Sequence, residues 1–230
     1  MNGNLRDSVT DASIIVFLGP SLDLKTARSI LSDADYRPPA SRGDIEKAAA
    51  GKPDIICLID GVFFEQCSVG HREILGALNK GILFFGASSM GALRASEMEV
   101  FGMKGVGRVY ALYKEGIVES DDEVAIVCDP FSNQPLSEAL INIRATLQKA
   151  EIENILTKEE SEKLLQTAAE FYYPERTYDF LIETARKNNV VNDSSLQVFE
   201  EWIQNENAAD IKKEDAIAVL RVVKETAGKI

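Results

Sequence analysis

The first half of the chain alternates short apolar runs with amphipathic stretches. The apolar runs lie at Ser13–Leu18, Asp54–Ile59 and Gly81–Phe85, and continuous runs of this length are typical of strands buried on both faces. Helical spacing of apolar residues follows, as in Leu24–Ala34 and Met90–Val100. Strands that alternate with helices pair in parallel through right-handed crossovers. The pattern therefore predicts an α/β fold, with an open, mostly parallel sheet and flanking helices.

The pattern changes beyond Gly102. The segment Gly102–Gly107 is rich in glycine and predicts a hinge, because glycine weakens both helices and strands. From Leu136 onward the pattern is helical and strongly charged, without period-two alternation. We therefore predict an α/β core domain over residues 1–132 and a helical C-terminal subdomain over residues 133–230 that packs on the sheet.

Composition narrows the function classes. The chain has 25 Lys and Arg against 37 Asp and Glu, a formal charge of −12. Such a chain repels phosphate backbones and anionic lipid, so we expect neither nucleic acid nor a membrane as a partner. A protein partner with a basic face is compatible with this charge. The single histidine, His71, excludes a zinc site built on two or three imidazoles, and we predict no metal.

Three further features favour a cytoplasmic protein. The polar segment 1–11 carries both signs of charge, unlike a signal or transit peptide. The apolar runs are strand-sized, too short to span a bilayer. The three cysteines, Cys57, Cys67 and Cys128, form neither a disulfide pattern nor a metal-ligand spacing.

Candidate chemistry gathers where the predicted strands end, because loops and helix N-termini converge at that edge of a parallel sheet. The segment Ala87–Gly91 has the small-x-nucleophile-x-small form of a strand-to-helix elbow. Ser89 lies at the centre of this pattern and is the candidate nucleophile. The neighbouring Ser88 is the second candidate. The next helix would direct N–H groups and its positive dipole end there, where an oxyanion could bind. The alternative is that either serine only caps the helix that begins at Met90.

A serine nucleophile needs a base. His71 lies early in the helix after the second strand, and Lys25 lies in the first helical turn after the first strand; burial can lower the pKa of a lysine into a useful range. Asp60 could orient a base or substrate, or only fix a turn, and Ser21 could donate its hydroxyl or only cap a helix. Arg42, in a loop that reaches the same edge, could bind a carboxylate.

These motifs, taken together, identify a family. They follow one another in the order Phe17–Leu22, Arg42–Asp44, Leu58–Phe64, His71–Leu75, Gly86–Ala95 and Asp121–Ala125. In order and approximate spacing they resemble the TfuA-like family over about Ile14–Ile126. The resemblance implies a partner of YcaO enzymes in peptide backbone thioamidation. It implies a hydrolase that releases sulfide from a thiocarboxylated ThiS-type sulfur carrier protein and recruits the YcaO to its peptide or protein substrate, with no cofactor.

The resemblance also implies residue roles. The family activity is attributed to a Ser–Lys pair, and the serine carries over to Ser89. No lysine of this chain stands in a matching motif, so Lys25 is the preferred amine and other bases stay open. Relatives often have lysine where this chain has Arg72, and a guanidinium cannot act as a base near neutral pH. Arg42 and Arg72 are expected to hold the anionic thiocarboxylate or its backbone.

Two other functions remain open. One is a non-catalytic adaptor that docks carrier protein, peptide and YcaO, in which Ser89 is only a helix cap. The other is a small-molecule-binding α/β protein. Under both the hydrolase and the adaptor hypotheses, the acidic surface and the helical C-terminal half favour a docking role.

Overall fold

Residues 12–63, 67–129 and 134–230 are described by a computed structural model of the chain. They form two compact units. The first comprises the described residues up to Glu115 together with Lys213–Ile230, and the second is Gly116–Lys212. The predicted boundary at 132/133, the segment 1–11 and Phe64 of the motif Leu58–Phe64 lie outside the described residues.

The first unit is built on a five-stranded sheet in which every pairing is parallel. The strands are β1 (Ile14–Phe17), β2 (Asp35–Arg37), β3 (Ile55–Leu58), β4 (Leu83–Ala87) and β5 (Lys104–Val106). Their order across the sheet is β2-β1-β3-β4-β5. The predicted α/β fold with a parallel sheet is thus confirmed.

Helices cover both faces of this sheet. They are α1 (Leu24–Ile30), α2 (Asp44–Ala50), α3 (His71–Leu78), α4 (Met90–Met98), α5 (Arg108–Lys114) and α10 (Ile211–Ala227). Successive strand residues point to opposite faces, so Val16 packs with α1 and α10, whereas Phe17 packs with α2, α3 and α4. The strands are therefore buried on both sides, as their continuous apolar runs predict.

The predicted hinge at Gly102–Gly107 is wrong, because residues Lys104–Val106 form the edge strand β5. Its pairing places Phe85 opposite Lys104 and Ala87 opposite Val106. A Cβ at Gly105 would lie 2.1 Å from the Tyr110 ring, so this glycine serves close packing of α5 on the strand.

The helix α10 belongs to the sheet unit from Lys213 onward. The sequence pattern groups it with the C-terminal helices, but its apolar residues Ala216, Leu220 and Val223 are fully buried beside β1 and β3. Its Asp215 carboxylate also accepts the backbone N–H groups of Arg108 and Val109, at 2.8 and 2.7 Å, at the start of α5.

The second unit is helical, as predicted for the C-terminal region. Its helices are α6 (Leu140–Ile152), α7 (Lys158–Ala169), α8 (Tyr178–Lys187) and α9 (Asp193–Trp202). Side chains of Thr157, Thr177 and Asn192 cap the last three of them, which fixes where each begins. Their apolar faces share one core that includes Leu147, Leu164 and Phe199.

Within this unit the acidic segment Asp121–Val124 is a 3₁₀ turn held by ion pairs. Asp122 pairs with the buried Arg176, and Glu123 pairs with Arg144 at 2.5 Å. These carboxylates therefore anchor the turn to α6 and to the segment before α8.

Candidate functional site

The chain turns from β4 into α4 within two residues. Ser88 adopts a left-handed φ of +69°, and the Ser89 N–H donates to the Ala87 carbonyl at 2.8 Å. This hydrogen bond closes a γ-turn with positive φ, a strained conformation for a residue with a Cβ. Ser88 is fully buried and its Oγ has no hydrogen-bond partner. A tight strand-to-helix turn is therefore present where the elbow is predicted, and its strained residue is Ser88 rather than the predicted central residue Ser89.

Ser89 follows as the N-cap residue of α4. Its side chain makes no capping hydrogen bond, and the residue is 8% exposed. Ser89 thus occupies the cap position without the side-chain interaction that gives caps their stabilising effect. Its hydroxyl is left for another partner.

The start of α4 is packed tightly against β3 and β4. A Cβ at Gly91 would lie 1.8 Å from the Leu58 carbonyl oxygen, and one at Gly86 would lie 2.2 Å from the Gly91 oxygen. The Gly91 N–H donates to the Ile59 carbonyl at 3.2 Å. Among the described residues the Met90 N–H has no acceptor, so it is the first-turn donor left for an oxyanion.

A second cluster lies at the switch point of the sheet, between β1 and β3. There the chain runs to β2 on one side and to β4 on the other, and the loops after β1 and β3 diverge to leave a crevice where ligands bind in such folds. Ser21 and Asp60 lie in these two loops and are both buried. The site residues taken from the two strand ends are therefore brought together.

Asp60 is a positioning group within this cluster. Its carboxylate accepts the Ser21 hydroxyl at 2.7 Å, the Gly19 N–H at 2.8 Å and the Ser21 N–H at 3.2 Å. Three donors compensate the burial of this charge. Asp60 therefore fixes the loop after β1, and the Ser21 proton is directed at Asp60.

His71 is the first residue of α3 and is paired with a carboxylate. Its Nε2 lies 2.8 Å from Glu97 Oε2, and Arg94 Nη1 lies 2.6 Å from the same oxygen. Arg94 is buried and also donates from Nε to the Val69 carbonyl at 2.8 Å. With the Nε2 proton directed at Glu97, the His71 Nδ1 is the nitrogen that can accept a proton.

The sequence pattern assigns no individual role to Arg94 or Glu97. Their spacing of three residues on one helix is the signal that could have found them, because side chains so spaced share a helix face. Their role is to hold the His71 ring and the loop before α3 against α4.

Arg42 and Arg72 line a groove of about 610 Å³ between α2 and α3. The Arg42 Nε donates to the Ser68 carbonyl at 3.4 Å. In the same groove Glu73 accepts the N–H groups of Gly43 at 3.0 Å and Gly70 at 2.7 Å. The two arginines therefore line one concave surface.

Lys25 is exposed in the first turn of α1, so it lacks the burial on which its choice as a candidate base depended. Within the described ranges the Ser89 hydroxyl forms no hydrogen bond with Lys25 or His71. The His71 partner Glu97 lies in the last turn of α4, about 10 Å along the helix from its start at Ser89, so the structure joins neither candidate base to the serine. Catalytic hydrogen bonds often form only when substrate is bound.

These elements can together support acyl transfer. They provide an unpaired hydroxyl and an N–H without an acceptor among the described residues at the start of a helix. In the part of the chain that the structure describes, no group of three or more His, Cys, Asp or Glu is arranged to hold a metal ion, and no helix is both long and apolar enough to cross a membrane.

Comparison with known proteins gives one family. A family model described as "TfuA-like protein" matches residues 60–177, about half of the chain. The matched range contains Asp60, His71, Ser88 and Ser89 and begins after Ser21, Lys25 and Arg42. Among curated proteins, none matches this chain significantly.

Proposed function

Because the chain belongs to the TfuA-like family, we propose that it is the hydrolase that supplies sulfide for thioamidation. The family is associated with YcaO-type thioamidation. In the proposal, the substrate is the thiocarboxylated C-terminus of a ThiS-type carrier protein. The protein also recruits the YcaO enzyme, which modifies its own peptide or protein substrate.

The observation that carries the proposal is the turn between β4 and α4. It presents the Ser89 hydroxyl, unused by the helix, beside the unused Met90 N–H. A tight turn that displays a hydroxyl at a helix N-terminus is the arrangement that acyl-transfer enzymes use. A serine that served only as a cap would use its oxygen for the helix.

The proposed reaction has two steps. Ser89 Oγ attacks the thiocarboxylate carbon, a C–O bond forms, and the C–S bond breaks; the serine proton leaves with the sulfur as HS⁻. Hydrogen sulfide is much more acidic than water, so this anion departs readily. Water then hydrolyses the acyl-serine to the carrier carboxylate and regenerates the hydroxyl. The Met90 N–H stabilises the oxyanion of each tetrahedral intermediate.

Other residues hold and activate the substrate in this proposal. Lys25 or His71 accepts the serine proton and passes it to the departing sulfur, and the neighbouring Ser88 sets the turn. Arg42 and Arg72 bind the anionic tail of the carrier. Asp60 and Ser21 shape the crevice beside it, and no cofactor takes part. The released sulfide and the three cysteines Cys57, Cys67 and Cys128, which form no disulfide in the described structure, suit a reducing cytoplasm, which is the proposed location.

The direct test measures sulfide released from a thiocarboxylated carrier. Replacement of the nucleophile, Ser89→Ala, is expected to lower the rate by about three orders of magnitude or more. Ser96→Ala is the matched control, because Ser96 lies on the same helix and its hydroxyl donates to the Leu93 carbonyl, at 2.7 Å. Full activity in Ser89→Ala would exclude this serine as the nucleophile.

The base is identified by the same assay. Lys25→Ala and His71→Ala are compared across pH. A general base acts only when it is deprotonated, so loss of the true base removes the rise of activity with pH from the profile. The variant that leaves the profile unchanged identifies the residue that is not the base. If both leave it unchanged, neither residue is the base.

The adaptor function is favoured by one observation, the absence of a hydrogen bond between Ser89 and either base within the described ranges. An adaptor would support thioamidation by YcaO when free sulfide is supplied, with or without Ser89. The proposed hydrolase predicts that Ser89→Ala is rescued by added sulfide and is inactive with the carrier as sulfur source. Activity of Ser89→Ala with the carrier alone would favour the adaptor.

A further inference from the structure

The negative charge of the chain is confined to the helical unit. Segment 116–212 contains 20 Asp and Glu residues and 8 Lys and Arg residues, a formal charge of −12. The rest of the chain contains 17 residues of each sign. The helical unit therefore holds the whole net charge of the protein, and a unit of one sign attracts and orients partners that carry the opposite sign.

The exposed charge of segment 170–183, within this unit, is entirely acidic. Four of its side chains are acidic and exposed: Glu170, Glu175, Asp179 and Glu183. Its one basic residue, Arg176, is buried and pairs with Asp122. Among the residues that the structure describes, none of the four exposed carboxylates forms an ion pair. The segment therefore offers four carboxylates to a partner.

Other exposed carboxylates of the same unit do have cations beside them. Lys163 Nζ lies 2.7 Å from Glu159 Oε1 on α7. Arg186 contacts Asp193 at 2.7 Å and Glu200 at 3.0 Å. The lack of cations in segment 170–183 is thus a local feature and does not follow from the composition of the unit alone.

The same segment exposes two aromatic rings. Tyr172 is 63% exposed and Phe180 is 39% exposed. The Phe180 ring centroid lies 4.7 Å from that of Phe171, and the Tyr172 centroid lies 5.0 Å from that of Tyr173, so each exposed ring rests against a second ring. Aromatic side chains are typical anchors of protein interfaces, and their faces attract the cations of Lys and Arg.

Charge decides which kind of partner fits this segment. A symmetric dimer pairs a surface with itself, so a second copy of this chain would bring like charges together. Nucleic acid and anionic lipid are repelled for the same reason. A protein surface that carries Lys and Arg side chains is complementary to the carboxylates and to the rings. The TfuA-like family is associated with YcaO partners.

We infer that segment 170–183 docks the YcaO enzyme, with the rings of Tyr172 and Phe180 as anchors and the four carboxylates against a basic surface of that enzyme. The inference rests on the proposed function for the recruitment of YcaO. It adds the place of docking, on the helical unit, and the sign of the charge that the docking surface of the YcaO carries.

The test measures equilibrium binding of the purified YcaO enzyme to the full chain. Tyr172→Ala removes an anchor and is expected to weaken binding by about tenfold or more. Glu175→Lys reverses a charge and is expected to weaken it by about tenfold at about 50 mM salt. The effect of Glu175→Lys should shrink at about 300 mM salt, since screening is stronger there, whereas that of Tyr172→Ala should persist.

Two controls on the same unit match these changes. Glu162→Lys alters the net charge as Glu175→Lys does. Glu162 is exposed on α7, eight residues before Glu170, which is about 12 Å along the helix. Ile152→Ala removes an exposed apolar side chain at the end of α6. Both controls should bind the YcaO as the parent does, and thermal unfolding of every variant establishes that the exposed substitutions leave the fold intact.

The outcomes separate this inference from the proposed hydrolase. Affinity for the YcaO equal to that of the parent in both Tyr172→Ala and Glu175→Lys would overturn the docking assignment, whatever Ser89→Ala does to sulfide release. Unchanged YcaO binding with weakened binding of the carrier or of the substrate peptide would overturn the identity of the occupant. Weakened YcaO binding with unchanged sulfide release from the carrier supports the inference, even if Ser89 proves not to be the nucleophile.

Discussion

At the scale of single residues, Ser88 is held in an unfavourable state by its neighbours. Its left-handed backbone is strained because it carries a Cβ, and its buried hydroxyl has no partner. The tight contacts of Gly86 and Gly91 hold the turn in place. The strained turn is therefore held in one geometry where Ser89 begins α4. Backbone strain of this kind is common at functional sites.

Replacing this residue should separate strain from function. Ser88→Gly removes both the Cβ penalty and the unpaired hydroxyl, so the free energy of unfolding should rise by about 1 kcal/mol. Ser88→Ala removes only the hydroxyl and should raise the free energy of unfolding by less. Urea unfolding of the three proteins measures the order. A Ser88→Gly variant less stable than the parent would show that this turn is not strained.

At the residue scale the sequence predicts the location of the candidate site but not its contacts. The ends of the predicted strands place Ser21, Asp60 and Ser89 at one edge. The bond between Ser21 and Asp60 requires β1 and β3 to be neighbours, and nothing in local periodicity specifies strand order. Similarly, the pairing of His71 with Glu97 depends on how α3 packs on α4. The catalytic roles of these residues stay predictions.

At the scale of elements, the junction of β4 with α4 depends on how closely the helix approaches the sheet. The helix begins in contact with β3, and Gly91 is the residue that permits this approach. By contrast β5 is short and glycine-containing, so its sequence has no strand pattern of its own. It becomes a strand because the paired edge of β4 supplies its partner, which is why the sequence predicts a hinge there.

Two glycines on helices test this packing with opposite signs. A Cβ at Gly91 would lie 1.8 Å from the Leu58 oxygen, so Gly91→Ala should destabilise by about 3 kcal/mol or more. Gly76, on α3, has no atom of the described residues within 4 Å of an added Cβ. Gly76→Ala should stabilise by about 0.5–1 kcal/mol, because alanine is the better helix former. If urea unfolding showed the free energy of unfolding changing in the same direction in both variants, the packing described here would be contradicted.

At the scale of the whole molecule, the sequence predicts the fold class and leaves the grouping of distant segments undetermined. The apolar face of α10 resembles that of any other amphipathic helix near it in the sequence. Only the completed sheet offers the surface of β1 and β3 that α10 covers. For this reason the helical character of the C-terminal region was predictable, whereas its division between two units was not.

Stability should also depend on pH through a buried carboxyl in the second unit. Burial raises the pKa of Glu138, with Asp210 nearby raising it further and Asn142 and Lys212 opposing the shift. Between the ordinary and the raised pKa the folded protein binds more protons than the unfolded chain. The free energy of unfolding should therefore fall as pH rises through this range.

Glu138→Gln tests this dependence. The amide oxygen can still accept from the Ala139 N–H and the Asn142 amide, but it carries no charge. The variant should be more stable than the parent at about pH 7.5, and the difference should vanish toward low pH. Glu183→Gln, at an exposed position of α8, is the control. An equal gain at both pH values would rule out titration of Glu138 as the cause.

The return of the chain at residues 213–230 has a consequence for biosynthesis. These residues fill a core face that begins with Ile14, so the sheet unit lacks one layer while translation continues. The intervening segment 116–212 leaves the ribosome earlier and has its own apolar core. We therefore expect the nascent chain to fold in its middle first, with the apolar side of β1 and β3 exposed to chaperones until α10 has been made.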